Sequence, residues 1–260
     1  SIHSIEVSQH DPGTVFIAAN RYKFNDFTSY TYKSTDYGTT WTKIVSGIES
    51  DDFIKVIRED RVVKNLLYAG AERGFYISNN GGKNWNKFQL NLPVVPVTDL
   101  QIRQNDLIAS TAGRAFWILD DLSVIQQSEG VVGNSDFKLF QPKSTYRLRG
   151  LWPEMAAAEF PGLGKNPVEG VTFDYYLREK SDTVKIKLEI LDQENQVLRT
   201  YSSVKDSNYK PYPGGPSPAL TLPTGAGINR FTWDFDDPSS GANNSSSLSS
   251  PSHDFSGPGT

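Results

Sequence analysis

Cysteine is absent from this 260-residue chain, which excludes disulfides, thiol nucleophiles and thiolate-bound metals together. Its three histidines, His3, His10 and His253, sit at the chain ends. An imidazole-centred site is therefore not expected, and neither a metal nor a cofactor is called for. No apolar run approaches the ~18 residues of a membrane-spanning helix; the longest, around Val94-Val95 and Trp117-Ile118-Leu119, are strand-sized. Lys plus Arg number 26 against 30 Asp plus Glu, a net charge of −4, and this balance lacks the basic stripe of a nucleic-acid binder. Glycine-rich phosphate loops, a Ser-His-Asp order and metal-binding histidine spacings are missing as well. The chain starts at Ser1 without Met or a leader pattern, which reads as a processed or excised piece. Lack of cysteine does not by itself fix a compartment.

What is present is the vocabulary of strands and turns: 12% aromatic residues, 21 Gly and 15 Pro. Helical periodicity is nearly absent; short β-branched and aromatic runs alternate with Gly, Asn, Asp and Pro. Ser34-Thr35-Asp36-Tyr37-Gly38-Thr39-Thr40-Trp41 recurs as Ser78-Asn79-Asn80-Gly81-Gly82-Lys83-Asn84-Trp85, a period of 44 residues. A worn third copy begins at Leu119-Asp120-Asp121, with Trp117-Ile118 standing where Tyr76-Ile77 stood. Four strand candidates per ~40–50-residue unit is the signature of β-propeller blades. The first blade is expected near 3–8, 14–20, 29–34 and 40–45, and the second near 53–58, 66–70, 75–78 and 85–88. The third takes 98–103, 106–111, 115–119 and, as its outer strand, 137–141, with a helical turn over 121–127.

Residues 1–141 thus read as terminal blades, and 142–168, broken by Leu151-Trp152-Pro153 and Phe160-Pro161-Gly162, as a connector. Alternation resumes over 169–237, notably in Val184, Ile186, Leu188 and Ile190, one dry face against one wet face. Four such strands predict a small immunoglobulin-like β-sandwich, under-filled and so expected to be incomplete. From 238 to 260 there are nine serines and no Lys or Arg, the composition of a flexible loop or tail. Asp234-Phe235-Asp236-Asp237 reads as a solvated strand end rather than a Ca²⁺ site, and Asn243-Asn244-Ser245-Ser246 holds sequons. Three blades do not close a ring, so further N-terminal blades are expected as partners. The fold class is all-β: propeller blades followed by a sandwich.

Ser34-x-Asp36-x-Gly38-x-x-Trp41 resembles the Asp-box of sialidases and related propellers. The Asp accepts hydrogen bonds from the turn's N–H groups, Gly relieves the bend, and Trp packs between blades. In the second copy Ser78, Asn80, Gly82 and Trp85 hold these positions. The resemblance widens over Leu66 to Gly74, Leu90 to Leu100, Thr111 to Asp121, Asp174-Tyr175-Tyr176-Leu177 and Gly227 to Asp234. These segments resemble the last blades and C-terminal sandwich of bacterial sortilin-like, BNR-repeat (Asp-box) propeller proteins, often labelled glycosyl hydrolases. The resemblance implies an extracytoplasmic location, secreted or cell-surface. Two residues depart from the pattern: Asn80 replaces the box Asp, and Ala112 stands where the family has His in a Thr-His-Gly-Arg run.

Propeller geometry puts the loops between second and third strands, and those between blades, on one face. Arg21, Tyr22, Lys23, Phe24, Arg73 and Arg114 fall in that set, with Glu72, Asp51 and Asp52 beside them. Exposed aromatics next to cations are what interfaces favour, so these residues are the candidate surface for a protein, peptide or glycan. The alternative is a glycoside hydrolase, for which Glu72 with Asp51 or Asp52 supplies the two carboxylates ~5–10 Å apart that the reaction requires. The sialidase label rests on fold analogy, which does not specify chemistry.

Overall fold

The computed structural model describes residues 1–131, 134–145, 170–179, 185–204 and 222–233. They form an all-β protein that divides into two compact units, Ser1–Glu129 and Gly130–Thr260. Among the described residues no helix is long and apolar enough to cross a membrane.

The first unit is a succession of antiparallel meanders. β1 (Ile2–Val7), β2 (Val15–Arg21), β3 (Asp26–Ser34) and β4 (Thr42–Lys43) pair in chain order, with a 3-10 turn at Tyr22–Phe24 between β2 and β3. β5 (Ile54–Glu59), β6 (Leu67–Ala71), β7 (Phe75–Ser78) and β8 (Asn86–Lys87) repeat the arrangement. β9 (Val97–Arg103), β10 (Asp106–Thr111) and β11 (Phe116–Leu119) make a third sheet of three strands, followed by α1 (Ser123–Gln127). These sheets are the blades read from the repeat.

Strand alternation decides which side chains meet. Phe16 and Ala18 of β2, with Ile44, pack against Ile54, Ile57, Leu67, Ala69, Tyr76 and Trp85 of the second blade. The opposite face of that blade brings Val56, Tyr68 and Phe75 against Val97, Leu100, Ile102 and Leu107 of the third. β6 is therefore covered on both sides, and all five of its residues are buried. The second and third blades pack tightly at Gly70, where a Cβ would lie 2.5 Å from Val97 Cγ1 and 2.9 Å from Val56 Cγ1 of its own blade; only glycine fits.

Two polar groups cross between blades. Arg58 on β5 donates from Nε to the Leu100 carbonyl (2.8 Å) and from Nη2 to Asp99 (2.8 Å), while Nη1 donates to Ser4 Oγ (3.1 Å). Nη1 also lies 3.6 Å from Glu6, so one half-buried guanidinium links the inner strands of all three blades. Asp60, fully buried, takes the Val62 and Val63 N–H groups on Oδ1, both at 2.8 Å, and the Tyr68 hydroxyl on Oδ2 at 3.0 Å. Gln126 of α1 donates to the same carboxylate at 3.0 Å. Burial, then the Asp60 charge and hydrogen bond, push the Tyr68 phenol far above its ordinary range.

In the second unit β12 (Phe137–Leu139), β13 (Val171–Leu177), β14 (Lys187–Leu191), β15 (Val197–Ser202) and β16 (Gly227–Trp233) form two antiparallel sheets. Their orders are β12-β13-β16 and β14-β15. Tyr201 and Leu222 gather Val171, Phe173, Ile186, Leu188 and Ile190 into a small apolar cluster, and Arg230 holds Asp174 bidentately at 2.9 and 3.1 Å. The segment expected as the third blade's outer strand is corrected here. Phe137, Lys138 and Leu139 pair with Leu177, Tyr176 and Tyr175 of β13, not with β11. Its short Phe-x-Leu alternation suits any half-dry sheet edge, and choice of partner is a non-local matter the pattern does not carry. Most of the connector, 146–168, the strand end Asp234 to Asp237, the sequons and the tail 238–260 lie outside the described residues.

Candidate functional site

The Ser34–Trp41 turn is a closed hydrogen-bond cage. Ser34 Oγ donates to Asp36 Oδ1 (2.7 Å) and accepts from Gly38 N (2.9 Å). Asp36 also accepts from Thr40 N at 2.8 Å and from Thr40 Oγ1 at 2.6 Å. Tyr37 and Gly38 both take positive φ, 57° and 85°, so the bend relies on glycine at the second position. The copy at Ser78 keeps the frame with a neutral group: Ser78 Oγ donates to Asn80 Oδ1 (2.9 Å), which accepts Asn84 N (2.9 Å). These residues hold a hairpin together.

The Thr40 and Ser34 donors lower the Asp36 carboxyl to about 2 from 3.8. Because the folded value lies below the unfolded one, ionisation supports the turn above about pH 5, and that support is lost as the pH falls towards 2. Asp36→Asn, the residue the second copy already has at Asn80, is expected to flatten this acid limb. Far-UV circular dichroism of both proteins between pH 5 and pH 2 measures the difference. Parallel acid curves would mean that Asp36 is not the group responsible.

The two tryptophans differ. Trp85 is 1% exposed and its Nε1 donates to the Ile44 carbonyl of the first blade at 3.0 Å. Trp41, expected to pack between blades in the same way, is 42% exposed and donates only to Gly38 of its own turn. The face of the first blade that carries Trp41, with Ile5 and Val7 also exposed, has no neighbouring sheet among the described residues.

On the rim, Arg21 ends β2 and Asn25, at φ 59°, closes the 3-10 turn. Tyr22 stacks on Phe53 with ring centroids 5.6 Å apart, and Phe27 lies 6.4 Å from the same ring. Both therefore serve packing as well as surface. Phe24 does not: it is 75% exposed, with the Arg21 guanidinium 5.9 Å over its ring and exposed Lys23 beside it. Asp26 lies 3.8 Å from Arg21 and accepts the Tyr30 hydroxyl at 2.6 Å.

The carboxylates have partners. Glu72 lies 2.5 Å from Lys55, and Asp51 lies 2.6 Å from Arg73. Glu49 joins Lys87 at 2.8 Å. Asp52 is fully buried and accepts Arg73 N (2.7 Å) and the Tyr76 hydroxyl (2.9 Å). Burial raises its carboxyl above 3.8 against the pull of those hydrogen bonds. Asp52 thus fastens the loop entering the second blade to the β6–β7 hairpin. Arg114 is exposed at the corresponding hairpin of the third blade, where its carbonyl accepts the Trp117 indole N–H at 3.0 Å. Ala112 is exposed. Phe53, which packs the β2–β3 loop through Tyr22 and Phe27, and Arg58 and Asp60, which tie strands and the β5–β6 connection, had no sequence signal beyond strand alternation.

No family model and no curated protein matches this chain. Solved structures show distant likeness. YCF48 bound to D1 peptide is 13% identical over 46% of this chain and 36% of its own, at a TM-score of 0.35. An ancestral GH74 enzyme is 14% identical over 81% of this chain and 28% of its own, at 0.38. The GH74 xyloglucanase of Xanthomonas campestris is 15% identical over 44% and 20%, at 0.36. This chain spans about a third or less of each of these proteins, and at such scores they assign it no activity.

Proposed function

We propose that this chain is a binding or scaffold module that engages a protein or peptide through the rim around Arg21, Tyr22, Lys23 and Phe24. The observation that carries the reading is Phe24, a large ring three-quarters exposed under the Arg21 guanidinium and next in the chain to exposed Lys23, the composition of an interface anchor. Arg73 and Arg114 extend the same surface. The glycosidase alternative needs one carboxyl held protonated near neutral pH beside an ionised one. Glu72 is instead paired with Lys55 and Asp51 with Arg73, the arrangement of structural ion pairs that tie loop to strand and loop to loop. The reading includes an extracytoplasmic setting within a sortilin-like Asp-box propeller, whose further blades would cover Ile5, Val7 and Trp41.

The test is selection of a displayed random-peptide library on the 260-residue chain, followed by titration of the enriched peptides. Phe24→Ala and Lys23→Glu are expected to weaken them ~10-fold or more. Affinities unchanged by both variants would remove the rim from the function. Reducing-sugar release from a β-glucan and xyloglucan panel, lost in Glu72→Gln, would restore the hydrolase.

A further inference from the structure

The three blades superpose by register, and the superposition exposes a difference at their outer edges. Ala69 pairs with Tyr76 and Leu67 with Ser78 in the second blade; Ala109 pairs with Trp117 and Leu107 with Leu119 in the third. β3 and β7 each carry an outer strand, pairing Tyr32 with Lys43 and Tyr76 with Lys87. β11 has none among the described residues.

Those outer strands do more than complete a sheet. At the junction of the first two blades, Trp85 enters just before β8 and fills a groove against Ile44 and Tyr76, which are 6% and 0% exposed. Its backbone N–H donates to the Ser46 carbonyl at 2.8 Å and its indole to Ile44. The same local fold recurs one junction on. Ile44 N donates to Thr31 and Ile48 N to Val45; Phe88 N donates to Phe75 and Leu92 N to Gln89. The groove there is lined by Phe88, Leu90, Leu92, Leu107, Trp117 and Leu119. No described residue takes the place of Trp85 in it: Phe88 and Trp117 are half-buried and Leu90 is 63% exposed. The chain therefore shows, at its own first junction, what such a groove holds.

We propose that this groove receives an extended peptide carrying a tryptophan, which adds to β11 as the fourth strand of the third blade and seats its indole between Phe88 and Trp117. The two outer strands of this chain read Trp41-Thr42-Lys43-Ile44 and Trp85-Asn86-Lys87-Phe88, and the second seats its indole in this way, so the ligand is of the form Trp-polar-Lys-apolar. Main-chain pairing supplies part of the affinity and the indole pocket the selectivity. The surface is distinct from the Phe24 rim, and the inference stands whether or not the rim binds a partner. Asn91 occupies the position of Gly47, where a Cβ would stand 2.1 Å from the Trp85 carbonyl oxygen. The incoming backbone consequently stands off at that point and takes its register from β11.

The probe is the chain's own outer-strand sequence, a fluorescein-labelled peptide Lys-Asn-Trp-Asn-Lys-Phe-Gln, titrated by anisotropy against the 260-residue protein. Saturable micromolar binding is expected, and the Trp→Ala peptide should bind ~10-fold or more weakly. Ile118→Pro removes an N–H that faces the incoming strand. Phe75, whose carbonyl accepts Phe88 N at 2.7 Å, turns its backbone outward, as does the residue two further on, and Ile118 is that residue's counterpart. A proline there leaves the β10 pairing in place. Leu90→Glu, at an exposed lining position, is the second variant, with circular dichroism as the check on folding. Both are expected to reduce binding ~10-fold or more. Absence of binding at millimolar protein, or binding indifferent to the indole and to both variants, overturns the proposal. A concentration-dependent dimer dissolved by Ile118→Pro would make a second copy the occupant and also overturn it. So would β11 amides already protected from exchange in the peptide-free monomer, because the chain would then cover its own edge.

Discussion

Trp85→Ala is expected to destabilise the Ser1–Glu129 unit by about 3–5 kcal/mol, and Trp41→Ala by about 1 kcal/mol or less. The two residues occupy the same position of the same repeated turn, so local conformational terms largely cancel in the comparison. What differs is cover. Trp85 is 1% exposed, wedged between Ile44 and the second blade, and its indole N–H reaches across to another blade's carbonyl. Its truncation leaves a cavity at the blade junction together with an unpaired carbonyl. Trp41 is 42% exposed and its indole bonds its own turn, so solvent replaces most of what is lost. Urea unfolding followed by circular dichroism gives both values from the first unit's transition. Equal losses would show that the tryptophan acts within the turn and that blade-to-blade packing is secondary.

That contrast also measures what could be read from the chain. The spacing of Ser34, Asp36, Gly38 and Trp41 against Ser78, Asn80, Gly82 and Trp85 located eight strands to within a residue or two in most cases, because a hairpin turn is a local structure whose donors and acceptors lie within eight residues. Nothing in the spacing distinguishes a covered tryptophan from an open one. Exposure depends on which sheet lies against that face, and the same dependence misassigned 137–141. Its alternation was right and its partner wrong, β13 in place of β11.

The loops were legible in the sequence and the contacts made within them were not. Loop position in the repeat put Arg21, Phe24, Glu72 and Asp51 on rim loops. Whether a carboxylate is a reagent or a fastener depends on what stands within about 3 Å of it. Lys55 beside Glu72, Arg73 beside Asp51, and the burial of Asp52 under Tyr76 and the Arg73 amide come from strands far apart in sequence. A charged pair in a loop and the same pair bound to a neighbouring strand have identical sequence patterns.

Asp60→Ala is expected to cost about 3–5 kcal/mol, as much as the loss of Trp85 and by the opposite kind of physics. Asp60 adds almost nothing to apolar burial. Its two oxygens, themselves buried, satisfy the Val62 and Val63 amides, the Tyr68 hydroxyl and the Gln126 side-chain amide. Alanine would leave the buried Tyr68 hydroxyl without its acceptor and remove the shared acceptor of the part-buried Val62 and Val63 amides, while Gln126 keeps its bond to Asn105 Oδ1 at 2.7 Å; each unmet buried donor costs about 1–3 kcal/mol before the structure relaxes. Asp60→Asn keeps one oxygen for the two backbone amides. Tyr68 can turn its hydroxyl to accept from the new amide, and Gln126 keeps its donor bond to Asn105, so the cost falls to about 1–2 kcal/mol. The Tyr68→Phe background separates the contributions: removing one donor first should make Asp60→Ala less costly by about 1 kcal/mol or more, a coupling that a double-mutant cycle in urea reads directly. Full additivity between the two substitutions would mean that the Tyr68 hydroxyl and the Asp60 carboxylate do not share their hydrogen bond in solution. The link from Asp60 to Gln126 also ties α1 to the second blade, so Gln126→Ala should loosen the Ser123–Gln127 turn, with faster amide exchange there and little change at β2.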